Sequence, residues 1–87
     1  MPPRRKTQPR SPEHAALGAA IEQMRREAGF SQEALADASN VHITQIGGME
    51  RGARNPSYST LLRVALALDS GVGTLTTLAD EIREKRP

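Results

Sequence analysis

The sequence predicts an all-α fold of five short helices. Apolar residues recur at three- and four-residue spacing along the chain, and no stretch carries a strand signal. Gly29, Asn40, Gly52, Pro56 and Asp69-Ser70-Gly71 punctuate it where helices must stop. At 87 residues the chain makes one domain. A chain this short buries only about 60% of its unfolded surface, so its core is modest.

Residues 1–12 hold four prolines, four basic side chains and no large apolar residue besides Met1. That composition cannot offset the entropy of ordering, so residues 1–12 are expected to be a disordered basic arm before a folded domain over 13–87. Ser11 caps the first helix and Pro12 suits its first position. Leu17, Ala20, Ile21, Met24 and Ala28 share one face of it. Glu22 and Arg26 make an i,i+4 pair on a solvated side. Gly29 stops this helix, and Phe30 packs back into the core.

Ser31 caps the second helix, whose inward stripe is read as Ala34, Leu35 and Ala38. Ser39-Asn40 breaks the pattern, and Asn40 tolerates the left-handed conformation that a sharp turn between helices needs. Val41 plugs the corner. The third helix turns Ile46 and Met49 inward, and Gly52 ends it. Pro56 forbids helix at Asn55. A fourth helix runs from Ser57 or Ser59 to Leu68, with Leu61, Leu62, Val64, Ala65 and Leu68 as the core floor. Asp69 to Gly73 reads as a loop. The fifth helix spans about Thr74 to Lys85, with Leu75, Leu78 and Ile82 in a narrow stripe suited to the core or to dimer contacts.

The absence of cysteine excludes disulfides and thiolate metal sites. No apolar run approaches the ~18 residues of a membrane span, and the N-terminus lacks an apolar secretion-signal core. A cytoplasmic protein with no membrane partner is therefore expected. His14 and His42 have no second ligand at a metal spacing, the serines lack a nucleophile context, and no glycine loop has a phosphate-cradling pattern. No enzyme activity, metal or cofactor is expected. The net charge of +2 is uneven. Arg4, Arg5, Lys6 and Arg10 face no acid in the arm, whereas the remaining residues carry eight basic and ten acidic side chains. Attraction to a polyanion must come from the arm and from locally placed arginines.

The segment from Ser31 to Gly52 thus reads as two helices held at an angle by a tight turn, with the start of the second free to enter a major groove. In order, Arg25-(three)-Gly29-Phe30-Ser31-Gln32-Glu33-Ala34-Leu35-Ala36, Val41-(four)-Ile46-(two)-Met49-Glu50-Arg51-Gly52, Asn55-Pro56 and Thr60-Leu61-Leu62 resemble the lambda-repressor-like (Cro/CI-type, xenobiotic-response-element) helix-turn-helix family. The resemblance covers about residues 15–82 and implies a five-helix DNA-binding domain, its helix-turn-helix formed by helices 2 and 3. It implies base reading by Ile43, Thr44, Gln45 and Gly48. It implies phosphate contacts from Gln32, His42, Arg51, Arg54 and Asn55, with His42 where the family has a Ser or Thr cap. It further implies a structural ion pair between Arg25 and Glu50.

The third helix departs from the family in offering Ile43, Gly47 and Gly48 where long polar side chains are usual. Its His-x-Thr-x-Ile-Gly pattern is similar to that of regulators found beside restriction–modification and other mobile elements. The function implied is a sequence-specific transcriptional regulator, a repressor binding double-stranded DNA at a pseudo-palindrome as a homodimer. The alternative left open is a protein-interaction module, such as an antitoxin or a transcription adaptor, working through the fifth-helix stripe and the arm.

Overall fold

The computed structural model describes residues 8–85 as five helices: α1 (Pro12–Glu27), α2 (Gln32–Ser39), α3 (Ile43–Glu50), α4 (Tyr58–Ala67) and α5 (Val72–Lys85). Local chemistry sets most of the ends. The Ser11, Ser31 and Ser57 hydroxyls accept from the amides of His14, Ala34 and Thr60, three residues into α1, α2 and α4 respectively, each satisfying one orphan donor. Between α2 and α3, Asn40 adopts the expected left-handed conformation at φ 57°.

α1 lies across the molecule against α5 and α3, while α2 packs on α3 and α4. Ile21, Leu35, Ile46, Met49, Val64 and Leu75 are fully buried where these helices converge. Leu17, Met24, Phe30, Leu61, Leu68, Leu78 and Ile82 pack around them half-buried. α1 and α3 approach unusually closely. A Cβ on Gly18 would run into the backbone carbonyls of Met49 and Glu50, so only glycine permits this crossing. Gly52, at φ 73°, presses its backbone on Ala15 in the same way.

Several expectations are corrected. Ala28 and Ala38 are exposed; the buried stripe of α2 is Leu35, Ala36 and Ser39. Ser39 enters the core because its hydroxyl donates to the Leu35 carbonyl at 2.7 Å and leaves no polar group unpaired. α5 starts at Val72, not Thr74. Asp69, at φ 55°, reverses the chain, and the Ser70 amide already closes α4 on Ala65 O at 2.8 Å. Gly71 O can therefore accept from Leu75 N at 3.2 Å. Leu75 is fully buried and is a core residue, not a dimer contact.

The folded body also begins before residue 13. Arg10 N donates to Gly52 O at 2.8 Å, and Pro12 opens α1. The rest of the proposed arm, residues 1–7, lies outside the described residues. No single helix is long and apolar enough to cross a membrane.

Candidate nucleic-acid interface

The two-helix unit is held by a buried ion pair. Arg25, from α1, donates through Nε to Glu50 Oε2 at 2.6 Å and through a terminal nitrogen to Oε1 at 3.1 Å. A further guanidinium N–H reaches Phe30 O at 2.8 Å. The side chains are only 10% and 5% exposed, and all three guanidinium nitrogens donate, two of them to the carboxylate as a bidentate fork. The hydrogen bonds to Glu50 raise the Arg25 pKa further above its ordinary value, against the cost of burial. Gln32 joins the cluster by donating to Glu50 Oε1 at 2.9 Å. One pair thereby fixes the end of α1, the start of α2 and the end of α3.

The outer surface is built on this base. His42 caps α3 as Ser or Thr would, its Nδ1 accepting from Thr44 N at 3.1 Å. With Nδ1 accepting, the ring proton sits on Nε2 at the exposed edge. Ile43 is 38% exposed and outside the core, so its apolar side chain is presented outward. Thr44 is exposed and Gln45 half-buried on the next positions. These four residues form the projecting start of α3.

Gly48 does not project. It is buried, and a Cβ there would stand 2.6 Å from Arg54 Cγ and 3.1 Å from Nε. The Arg54 stem lies over the helix in the space of the missing side chain. Gly48 is thus removed from the base-reading set; the side chain on that surface is Arg54's. Gly47 plays a similar part for Arg51, whose Nη1 lies 3.2 Å from where its Cβ would be, with Gln32 Oε1 3.8 Å away on the same side. The two glycines that thin α3 are the bed on which two arginines rest. Arg51 and Arg54 are exposed, and neither makes an ion pair among the described residues.

Asn55 is exposed in the α3–α4 loop, but its Oδ1 is engaged by His14 Nε2 at 3.0 Å. Gln32 and Asn55 are therefore each partly committed to an internal bond, keeping amide hydrogens for anything outside. Leu78 and Ile82, the remaining expected dimer contacts, are half-buried against the core. Among the described residues the exposed large apolar side chains besides Ile43 are Tyr58 (67%) and Leu66 (62%) on α4. With half-buried Leu62 between them at i,i+4 spacing, they line one helix face. Sequence reasoning took α4 as core floor and missed this face, although Tyr58-Leu62-Leu66 was the signal. It also missed His14. Among the described residues no group of His, Asp and Glu is arranged to hold a metal.

The two-helix unit lies within a match to the family model described as Helix-turn-helix (HTH_3), over residues 21–75. The control protein C.SmaI of Serratia marcescens is 48% identical over 48 residues, which make up 55% of this chain and 57% of that protein. The restriction-modification controller protein C.AhdI of Aeromonas hydrophila superposes with a TM-score of 0.73 at 35% identity, covering 75% of this chain and 98% of that one. The controller protein C.Esp1396I, solved as a tetramer with its natural 35 base-pair operator, gives a TM-score of 0.79 at 28% identity, covering 86% and 99%.

Proposed function

The chain belongs to the Helix-turn-helix (HTH_3) family, and from that premise we propose that it is a sequence-specific DNA-binding transcriptional regulator, acting by binding and not by catalysis. The observation that carries the reading is the surface around α3. Its capped start projects Ile43, Thr44 and Gln45, while Arg51 and Arg54, without an ion-pair partner among the described residues, lie beside it on glycine beds. This is how a groove reader divides its work: side chains at the helix start meet base edges, and flanking cations meet phosphates.

In this reading α3 enters the major groove. Thr44 and Gln45 hydrogen-bond base edges, and Ile43 meets a thymine methyl. Gln32, His42 Nε2, Arg51, Arg54 and Asn55 hold the backbone on either side. The working species is a homodimer whose two-fold axis places half-sites about 34 Å apart on a pseudo-palindrome. The dimer is assigned to the α4 face of Tyr58, Leu62 and Leu66 in place of the α5 stripe. Repression follows from occupying a promoter in the cytoplasm, on the nucleoid.

The test is selection of bound sequences from a random duplex pool at a stated, near-physiological salt. One inverted-repeat motif is the expected recovery. Retention without any motif would reduce the activity to electrostatic binding. No retention even at low salt would overturn the reading in favour of a protein-interaction module using the same α4 face. With an operator in hand, Thr44→Ala is expected to relax sequence preference. Arg54→Ala is expected to weaken all duplexes alike and flatten the salt slope by about 1 per subunit.

A further inference from the structure

We propose that His14, on the first turn of α1, is a positioning residue for DNA binding: it orients the Asn55 amide so that its N–H groups face the nucleic-acid backbone. The proposal rests on the reading of Asn55 as a phosphate contact. His14 lies 41 residues from Asn55 in sequence, and its Nε2 stands 3.0 Å from Asn55 Oδ1. On the other side of the ring, Nδ1 is 2.6 Å from Ser11 Oγ, which also accepts from the His14 backbone amide at 3.1 Å.

The direction of these bonds follows from their ends. Asn55 Oδ1 can only accept, so in the neutral ring the imidazole proton sits on Nε2 and donates to it. Nδ1 is then the acceptor and takes the Ser11 hydroxyl hydrogen, while a lone pair of Ser11 Oγ takes the His14 backbone N–H. The amide oxygen is thereby turned inward and the amide nitrogen outward. A phosphate oxygen can only accept, so the outward nitrogen is the end it requires. Without the ring, an exposed asparagine amide could present either end.

The loop is fixed at the same place by its backbone. Arg10 N donates to Gly52 O, and Gly52 packs on Ala15 with no room for a side chain. Glu13, His14, Leu17, Asn55, Pro56 and Leu61 line a small cleft there. The first turn of α1 is thus the platform for the loop carrying Arg54 and Asn55, although it contributes nothing to the groove-reading helix.

The experiment measures binding to the selected operator and to a random duplex of equal length by wild type, His14→Leu, His14→Gln, Asn55→Ala and the His14→Leu/Asn55→Ala double variant. Leucine fills the ring's space without a donor, while glutamine carries an N–H donor on a side chain of similar reach. Thermal unfolding is followed on every variant. His14→Leu is expected to weaken both duplexes about fivefold, the value of one ordinary hydrogen bond. His14→Gln should return to within about twofold of wild type, and the double variant should bind no more weakly than Asn55→Ala alone.

A merely structural role would lower the melting temperature of both His14 variants without separating their DNA affinities. Additive losses in the double variant, or wild-type affinity in His14→Leu while Asn55→Ala is weakened, would overturn the orienting role and leave the interface reading standing. Wild-type affinity in Asn55→Ala would remove the phosphate contact itself, and the proposal with it.

Discussion

Gly48 and Arg54 exchange places in a way that a helical wheel does not reveal. The wheel puts Gly48 on the outward face of α3, and the family resemblance makes that a base-reading position. The wheel carries no information about a side chain arriving from outside the helix. Arg54 Cγ stands only 2.6 Å from where a Gly48 Cβ would be, so Gly48→Ala must push the arginine off the helix. We expect the domain to keep its stability, since alanine is about 1 kcal/mol better than glycine inside a helix. Operator affinity should fall by a factor close to that of Arg54→Ala, measured by titration with labelled duplex. Full affinity in the alanine variant would mean that Arg54 works equally well from another rotamer. Arg25 and Glu50 were legible, because their identities and spacing match the family's ion pair. The bonds from Gln32 to Glu50 and from His14 to Asn55 were not, since nothing in a linear sequence says which polar side chains meet. Removing one partner of the buried pair should cost about 3 kcal/mol, because the other charge is stranded. Arg25→Met is therefore expected to melt well below wild type, and Arg25→Met/Glu50→Leu to recover much of the loss. An unrecovered double variant would show that the pair's geometry, not its charge balance, holds the corner.

At the level of elements, what the sequence announces is how helices begin and end. Ser11 and Ser31 are the expected caps, Asn40 takes the expected positive φ, and Gly29 and Gly52 stand where helices stop. Each of these is a local property, decided by a side chain and the backbone beside it, and each was readable; Ser57, expected inside the fourth helix, is instead its cap. The errors fall where tertiary packing decides. α2 rotates so that Ser39 is buried and Ala38 exposed, because packing on both α3 and α4 fixes its face and Ser39 can satisfy its hydroxyl within the helix. α5 begins early because Asp69, not a glycine, makes the left-handed step. The α2–α3 turn gives the sharpest test of the local argument. Asn40 holds φ 57°, a conformation that costs an ordinary L-residue roughly 1–2 kcal/mol. Asn40→Gly should melt within a few degrees of wild type, whereas Asn40→Val should lose about 1–2 kcal/mol in chemical denaturation. Equal stability in the two variants would show that the turn is imposed by packing at Val41 and not by the residue at the corner.

The whole molecule raises a question that its individual elements do not, namely what covers α4. A small domain with a thin groove-reading helix gains affinity most readily by binding twice. Joining two subunits makes the second half-site contact intramolecular, worth roughly 10²–10⁴ in apparent affinity without any new contact to DNA. The face formed by Tyr58, Leu62 and Leu66 suits that joining, for a two-fold interface needs one patch that meets its own copy. Among the described residues it is also where two large apolar side chains, Tyr58 and Leu66, are exposed on one helix, while in the α5 stripe proposed from sequence Leu75 is buried and Leu78 and Ile82 are half-buried against the core. Periodicity alone could not separate the two, since Tyr58, Leu62 and Leu66 at i, i+4, i+8 and Leu75, Leu78 and Ile82 at i, i+3, i+7 are both single helical faces. Leu66→Glu places like charges opposite each other across such an axis, yet Leu66 is 62% exposed in the isolated chain, so the fold should tolerate it. The expected result is a folded monomer in sedimentation equilibrium, with operator affinity reduced by roughly two orders of magnitude. A single half-site duplex should be bound by this variant about as well as by wild type. A variant that stays dimeric would move the interface off α4, and a monomer that still binds the full operator at wild-type strength would show that pairing is not the source of its affinity.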